Sequence, residues 1–242
     1  MTFLGATILA IVQGLAEFLP ISSKGHLNLV QQILGLEPSL TLDIFLNTAT
    51  LFSVFFFFRK QLNYFLQNLS FIIVGTLPTV VVAILFRQNI DQIFSDTKIL
   101  PFLFLITALL VIATKYLPVK KLSLTYKKAI IIGLFQSIAI LPGISRSGST
   151  IFAGLLLGLS STEAFNFSFC LLIPASIGAL VFDYKNFVTF NFFDPALITA
   201  FFVALVVGII ALKILQKTII SRNFWQFGIY VILVALVSFF FV

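Results

Sequence analysis

The sequence predicts an all-α polytopic membrane protein arranged as an inverted repeat, each half one re-entrant helix–loop–helix hairpin plus three transmembrane helices. Three observations lead there. First, 60% of the 242 residues are hydrophobic, only 10% are charged, and 31 are Phe, with a mean hydropathy of +1.15. A soluble domain carries about 25% charged residues, so this composition could not wet a surface. Second, six windows rich in Leu, Ile, Val and Phe, at about 40–58, 69–86, 99–114, 165–182, 195–212 and 224–242, each approach the ~20 residues that cross ~30 Å of hydrocarbon. Third, two further apolar stretches, 3–35 and 129–159, are broken in the middle. The chain is one integral membrane domain over 1–242, with repeat 1 at about 1–117 and repeat 2 at about 129–242, and no room for a separate soluble domain.

The first stretch breaks at Pro20-Ile21-Ser22-Ser23-Lys24-Gly25-His26 and the second at Pro142-Gly143-Ile144-Ser145-Arg146-Ser147-Gly148-Ser149. Pro and Gly interrupt helices, and a polar loop at that depth is tolerable only when buried in protein or lining a wet cavity. Both stretches therefore read as re-entrant hairpins. The lone Cys170 excludes an internal disulfide and a Cys-rich metal site. The net charge of +7 sits in loops between apolar runs, which writes membrane topology and excludes nucleic acid as a partner.

Basic residues orient the loops. Arg59-Lys60, the segment with Lys115, Lys120, Lys121, Lys127 and Lys128, and the segment with Lys213, Lys217 and Arg222 belong in the cytoplasm. The segments around Glu37, around Arg87, Asp91, Asp96 and Lys98, and around Asp183, Lys185 and Asp194 have no net positive charge and belong outside. The Pro20 hairpin then enters from outside and the Pro142 hairpin from the cytoplasm. Opposed orientation agrees with a faint internal repeat: Gln13, Ala16, Ile21, Ser22 and Gly25 match Gln136, Ala139, Ile144, Ser145 and Gly148 at one offset, 136 − 13 = 123.

Gln13 and Glu17, spaced i and i+4, project from one helix face toward the loop holding Ser22, Ser23, Lys24, Gly25 and His26. An intramembrane carboxylate is costly and marks function, and His26 is the single histidine of the chain. The second loop offers the Arg146 guanidinium, the hydroxyls of Ser145, Ser147, Ser149 and Thr150, and the backbone of Gly148 at a helix start. An Arg fork and free N–H groups at a helix N-terminus suit an oxyanion. A phosphate-bearing ligand between the loops, with a divalent cation such as Mg²⁺ bridging Glu17 to phosphate oxygens, follows. Glu17 is the only acid in either hairpin loop, which excludes an all-protein metal cage. Asp43, Asn47, Thr48, Thr50, Asn166 and Ser168 flank the hairpins as lesser candidates; Glu163 reads as solvated and Phe55-Phe56-Phe57-Phe58 as lipid contact.

QGLAEFLPISSKGHL and LPGISRSGSTIFAGLLLGLS resemble the two signature regions of the undecaprenyl-diphosphate phosphatases, the polyprenyl-diphosphate phosphatase family associated with bacitracin resistance. The likeness continues through DIFLNTATLFSVFFFFRK, GTLPTVVVAILF and FNFSFCLLIPASIGALVFDY. It implies hydrolysis of the carrier-lipid diphosphate to monophosphate and inorganic phosphate, aided by Mg²⁺ or Ca²⁺, in the bacterial plasma membrane with the site facing outward. Polyprenyl diphosphate is then the substrate, membrane lipids are the surroundings, and a homodimer is compatible with this reading.

By position, the family's Gln or Glu, three residues, then Glu falls on Gln13 and Glu17, which the resemblance implies as metal residues. Its Ser-Ser-x-Gly-His falls on Ser22, Ser23, Gly25 and His26, and its Pro-Gly-x-Ser-Arg-Ser-Gly on 142–148. Lys24 stands where Thr is common, Asn47 where Gln or His is usual, and Ser161 and Asn166 where charged residues are usual. The implied catalytic set is Glu17, Ser23, His26 and Arg146, with Ser22, Lys24, Gly25, Ser145, Arg146, Ser147, Gly148, Ser149 and Thr150 around the phosphates. Attack by Ser23 or by a metal-held water, and Glu17 or His26 as base, stay open. A transporter or flippase of phosphorylated polyprenyl lipid is the competing class, because broken helices in inverted repeats are also a transporter plan.

Overall fold

A computed structural model describes residues 2–36, 39–86, 97–118, 120–182 and 193–240. Among these are 11 α-helices and no strand. In chain order they are α1 Phe3–Ala16, α2 Ser23–Ile33, α3 Leu40–Phe58, α4 Leu62–Gln67, α5 Leu69–Leu85, α6 Leu100–Ala113, α7 Tyr126–Ile138, α8 Arg146–Leu156, α9 Ser161–Phe182, α10 Pro195–Ile220 and α11 Gln226–Ser238. Local chemistry starts several of them. Thr2, Ser39, Thr125 and Asp194 each accept a main-chain N–H of the first turn, and Pro195 opens α10 with its fixed φ.

Among the described residues three helices are long and apolar enough to cross a membrane, Thr41–Phe58, Ser161–Val181 and Pro195–Ile220. The windows at 69–86, 99–114 and 224–242 form apolar helices of 17, 14 and 13 residues, shorter than expected. Conversely, α10 runs on to Ile220, so Lys213 and Lys217 lie on the helix rather than in a loop. Lysine is a good helix former whose long stem keeps its ammonium in a polar layer, so charge alone does not end a helix. The loops around Glu37, around Arg87, Asp91 and Asp96, and around Asp183 and Lys185 lie outside the described residues.

Between helices in lipid there is little hydrophobic gain, so close packing decides. Small residues supply it. Gly14 of α1 faces Val207 and the Ala204 carbonyl of α10, Gly208 faces Phe18 and Ser53, Gly133 of α7 abuts Gly75 of α5, and Gly228 of α11 sits on Ala108 and Ile112 of α6. Thus α1 lies on α10, α7 on α5 and α11 on α6, with α9 packed against α3, α5, α8 and α10. Ala6 and Leu9 share a cluster with Ala196 and Leu197 at the start of α10, whereas Phe18 reaches Gly208, halfway along it. Leu27 and Val30 of α2 then return to that first cluster with Leu42 and Phe45. On the other side, Tyr126 stacks near Phe71 at the start of α5, Gln136 donates to Thr79, and Leu122 N–H bonds Gly158 O after α8.

The polyphenylalanine run divides. Phe55 and Phe56 are exposed, while Phe57 and Phe58 turn inward onto Phe165 and Phe169, because four successive helical residues point all round the axis. Arg59, Lys60 and α4 gather at the end that also holds Leu124, Leu159 and Glu163, and there Arg222 Nη2 donates to Leu117 O at 3.1 Å. Glu163 is not simply solvated, since the Tyr64 hydroxyl donates to it at 2.6 Å.

Candidate active site

The two broken stretches meet tip to tip. After α1 the chain turns through 17–21 and reaches Ser22 at φ 72° and ψ 98°, a left-handed region that non-glycine residues avoid. That conformation lets Ser22 Oγ accept from Gly25 N at 3.4 Å, capping α2, and from Gly143 N of the other tip at 3.1 Å. Ser145 caps α8 the same way, its Oγ accepting from Gly148 N at 3.1 Å. Gly143 itself sits at φ 93°, against Leu103, where a side chain would collide. Thr107 of α6 clasps this tip, donating to Gly143 O at 2.8 Å and accepting from Ser145 N at 2.9 Å.

Glu17 lies at the junction, its side chain 7% exposed. Its Oε1 pairs with Arg146 Nη2 at 2.9 Å; its Oε2 accepts from Ser23 Oγ at 2.7 Å and from Gln13 Nε2 at 3.2 Å. Gln13 also reaches Thr50 Oγ1 at 3.4 Å. Arg146 Nη1 donates to Ser168 O at 3.4 Å, and its guanidinium lies 5.8 Å from the Phe169 ring centre. Lys24 Nζ reaches across to Ile140 O at 3.3 Å, and Ser147 Oγ to Leu19 O at 3.4 Å. Lys24 and Arg146 are the cations of this cluster: Glu17 pairs with Arg146, and the charges of both Glu17 and Asp43 act on Lys24.

The predicted residues do not all face the same way. Gln13, Glu17, Ser22, Ser23, Lys24, Ser145, Arg146 and Ser147 converge. Gly25 packs its α-carbon on Phe104, where a Cβ would come within 2.6 Å of a ring carbon. Thr150 turns inward, bonding Arg146 O at 2.9 Å and Ser168 Oγ at 2.6 Å. Ser149 Oγ is buried and, among the described residues, finds no partner. The Gly148 amide is taken by Ser145, which leaves the Arg146 and Ser147 amides as the open donors of the α8 N-terminus. His26 uses both ring nitrogens, Nδ1 on Ser22 O at 2.9 Å and Nε2 on the Tyr230 hydroxyl at 3.0 Å. Among the flanking candidates, Thr50 and Ser168 touch the site. Asp43 instead accepts from Gln31, Asn47 from Ser176, and Thr48 bonds its own helix.

Thr107, Tyr230 and Phe104 join the site from within apolar windows. Their only sequence signal is a polar or aromatic group within an apolar window, and that does not say which way the group points.

Chemically, the arrangement sets a hydroxyl on a carboxylate that can take its proton. Ser23 directs its proton at Glu17 Oε2, and the Arg146 guanidinium, a group able to bind oxyanion oxygens, lies on Oε1. Glu17 is also a hard-oxygen donor of the kind Mg²⁺ or Ca²⁺ accepts together with substrate phosphates. No group of three His, Cys, Asp or Glu that could cage a metal occurs among the described residues. Gln13 presents its N–H to Glu17, so metal donation by its oxygen requires the amide to turn over.

Comparison with known proteins places the chain in a family. The chain is 40% identical over 245 residues to the undecaprenyl-diphosphatase of Thermosipho melanesiensis, covering 96% of each. It is 36% identical to that of Persephonella marina over the full length of both, and 35% identical to that of Methanobrevibacter smithii over 99% and 97% of the two chains. Residues 6–237 match the family described as bacitracin resistance protein BacA, and the chain belongs to that family.

Proposed function

We propose that the chain is an undecaprenyl-diphosphatase, hydrolysing the lipid diphosphate to monophosphate and inorganic phosphate and so returning the carrier to cell-wall synthesis. The observation that carries this reading is the Ser23–Glu17–Arg146 constellation at the meeting of the two tips, with Ser23 Oγ 2.7 Å from Glu17 Oε2. Relatives 36–40% identical over nearly their whole length and named undecaprenyl-diphosphatase support it.

In this mechanism Arg146 and the Arg146 and Ser147 amides hold the terminal phosphoryl group, and Lys24 balances the phosphate next to the lipid. Ser23 Oγ attacks the terminal phosphorus as its proton passes to Glu17. The bridging P–O bond breaks, and polyprenyl monophosphate leaves with the electron pair. Water then attacks the phosphoserine, phosphate departs, and the proton returns to Ser23. Charge spreads over the transferred oxygens in such a loose transition state, so fixed donors supply most of the stabilisation. A divalent cation held by Glu17, with Gln13 beside it, would neutralise phosphate charge.

The fold reading we propose is an inverted repeat of two re-entrant hairpins. Its support is the exchange of partners, α1 on α10 against α7 on α5, together with matching caps at Ser22 and Ser145 and the buried pair Gln13 and Gln136. The end carrying Arg59, Lys60, Lys115, Lys120 and Arg222 is taken as cytoplasmic, which sets the α1–α2 hairpin entering from outside and the site on the extracytoplasmic side of the bacterial plasma membrane. Phosphate release by the purified protein from undecaprenyl diphosphate tests the activity. Release no greater than from a Ser23→Ala, Arg146→Lys double variant refutes it, and transport of the lipid without release would favour a carrier.

A further inference from the structure

Tyr230 lies on α11, 204 residues from His26, yet their hydrogen bond is 3.0 Å and their rings stack at 5.7 Å and 15°. On the other side Phe104 meets His26 edge-on at 5.3 Å and 84°. His26 is thereby fixed in the plane of its ring as well as along it. Its Nδ1 faces the Ser22 carbonyl at 2.9 Å, and a carbonyl oxygen only accepts, so Nδ1 carries the hydrogen. In the neutral imidazole Nε2 is then a bare acceptor, and the Tyr230 hydroxyl is the donor.

The order is Tyr230 O–H to Nε2, then Nδ1–H to Ser22 O. That same carbonyl also receives the His26 main-chain N–H at 3.1 Å. Two donors from one residue thus pin the carbonyl of the left-handed Ser22, the residue whose hydroxyl ties Gly25 N to Gly143 N. Ser23 follows directly, with its hydroxyl on Glu17. With both ring nitrogens engaged, His26 turns neither toward Ser23, so its part is to hold the turn that aims the serine.

We propose that Tyr230 is a positioning residue for the hydrolysis: by donating to His26 Nε2 it holds in place the Nδ1–H imidazole that clamps Ser22 and aligns Ser23 on Glu17. The turnover part rests on the hydrolase reading; the tautomer part does not.

The chain has a single histidine, so its imidazole gives one set of nitrogen signals. Full-length protein labelled with ¹⁵N-histidine in detergent micelles should show a protonated Nδ1 and a bare Nε2. Tyr230→Phe keeps the ring and the stack and removes only the donor. It should move the bare Nε2 signal while Nδ1 stays protonated on Ser22 O, and lower kcat about tenfold, the worth of one such hydrogen bond, with KM changed less than about twofold. Wild-type kcat in the folded variant, or an unmoved Nε2 signal, overturns the proposal. So does an Nε2–H tautomer in the wild type, which is read without any variant. If the wild type releases no phosphate while the Nε2 signal of Tyr230→Phe shifts as expected, the hydrolase reading fails and the Tyr230–His26–Ser22 clamp stands.

Discussion

Replacing Arg146 by lysine keeps a positive charge beside Glu17 but reduces the fork to a single nitrogen. In the structure the two terminal nitrogens serve different acceptors, Nη2 the Glu17 carboxylate at 2.9 Å and Nη1 the Ser168 carbonyl at 3.4 Å. One ammonium can satisfy Glu17 or a phosphate oxygen, not both in bidentate geometry. Losing one preorganised donor to a developing oxyanion costs about 10²–10³ in kcat, or roughly 2.7–4 kcal/mol. The side chain is only 14% exposed, so solvent replaces little of that loss. Stability should change less, because the carboxylate keeps a counter-charge; Arg146→Ala would leave Glu17 buried and unpaired at a cost of about 3–5 kcal/mol. Phosphate release by the purified variant, alongside its thermal melting, separates the two effects. A lysine variant with near-normal kcat and an unchanged melting profile would refute the assignment of Arg146 to the transferred phosphate.

Ser23→Ala should abolish turnover and Ser22→Ala should cost less, with rapid quenching of the wild type trapping labelled phosphate on Ser23; a larger loss at Ser22 in equally folded protein names the other serine. Chelation should silence the enzyme and Mg²⁺ or Ca²⁺ should restore it, Gln13→Glu strengthening the requirement by adding a carboxylate; full activity in chelator removes the cation from the mechanism. Gly25→Ala should destabilise the protein by about 1–3 kcal/mol through its clash with Phe104, and Phe104→Leu should relieve part of it in a double-variant melting series. With buried Cys170 replaced, a cysteine at Ser39 should react with an impermeant thiol reagent on intact cells and one at Lys121 should not; the reverse pattern inverts the orientation.

The breaks in the apolar stretches were legible because Pro, Gly and Ser carry local instructions: Ser22 and Ser145 cap their helices as their place before α2 and α8 suggests. Glu17 and Arg146 were legible because charge at that depth is too costly to be idle. Rotation of the apolar helices was not. A helix that is hydrophobic all round gives no sign of which face looks inward, so neither the inward turn of Phe57 and Phe58 nor the contacts of Thr107 and Tyr230 are marked in the sequence. The Tyr64–Glu163 bond spans 99 residues and leaves no periodic trace.

The bonds that join the tips span long loops of chain: Ser22 to Gly143 is 121 residues and Glu17 to Arg146 is 129. Neither half alone brings Ser23 and Glu17 against Arg146, so during synthesis the cluster assembles late. α1 and α2 must wait in the membrane with Glu17 uncompensated until α8 arrives, and His26 waits longer still for α11. Such separation slows assembly and makes it sensitive to anything that delays the second half. Two fragments divided in the 117–129 connection, expressed together, should regain hydrolysis that each lacks separately, because the seam between them is the enzyme's working part.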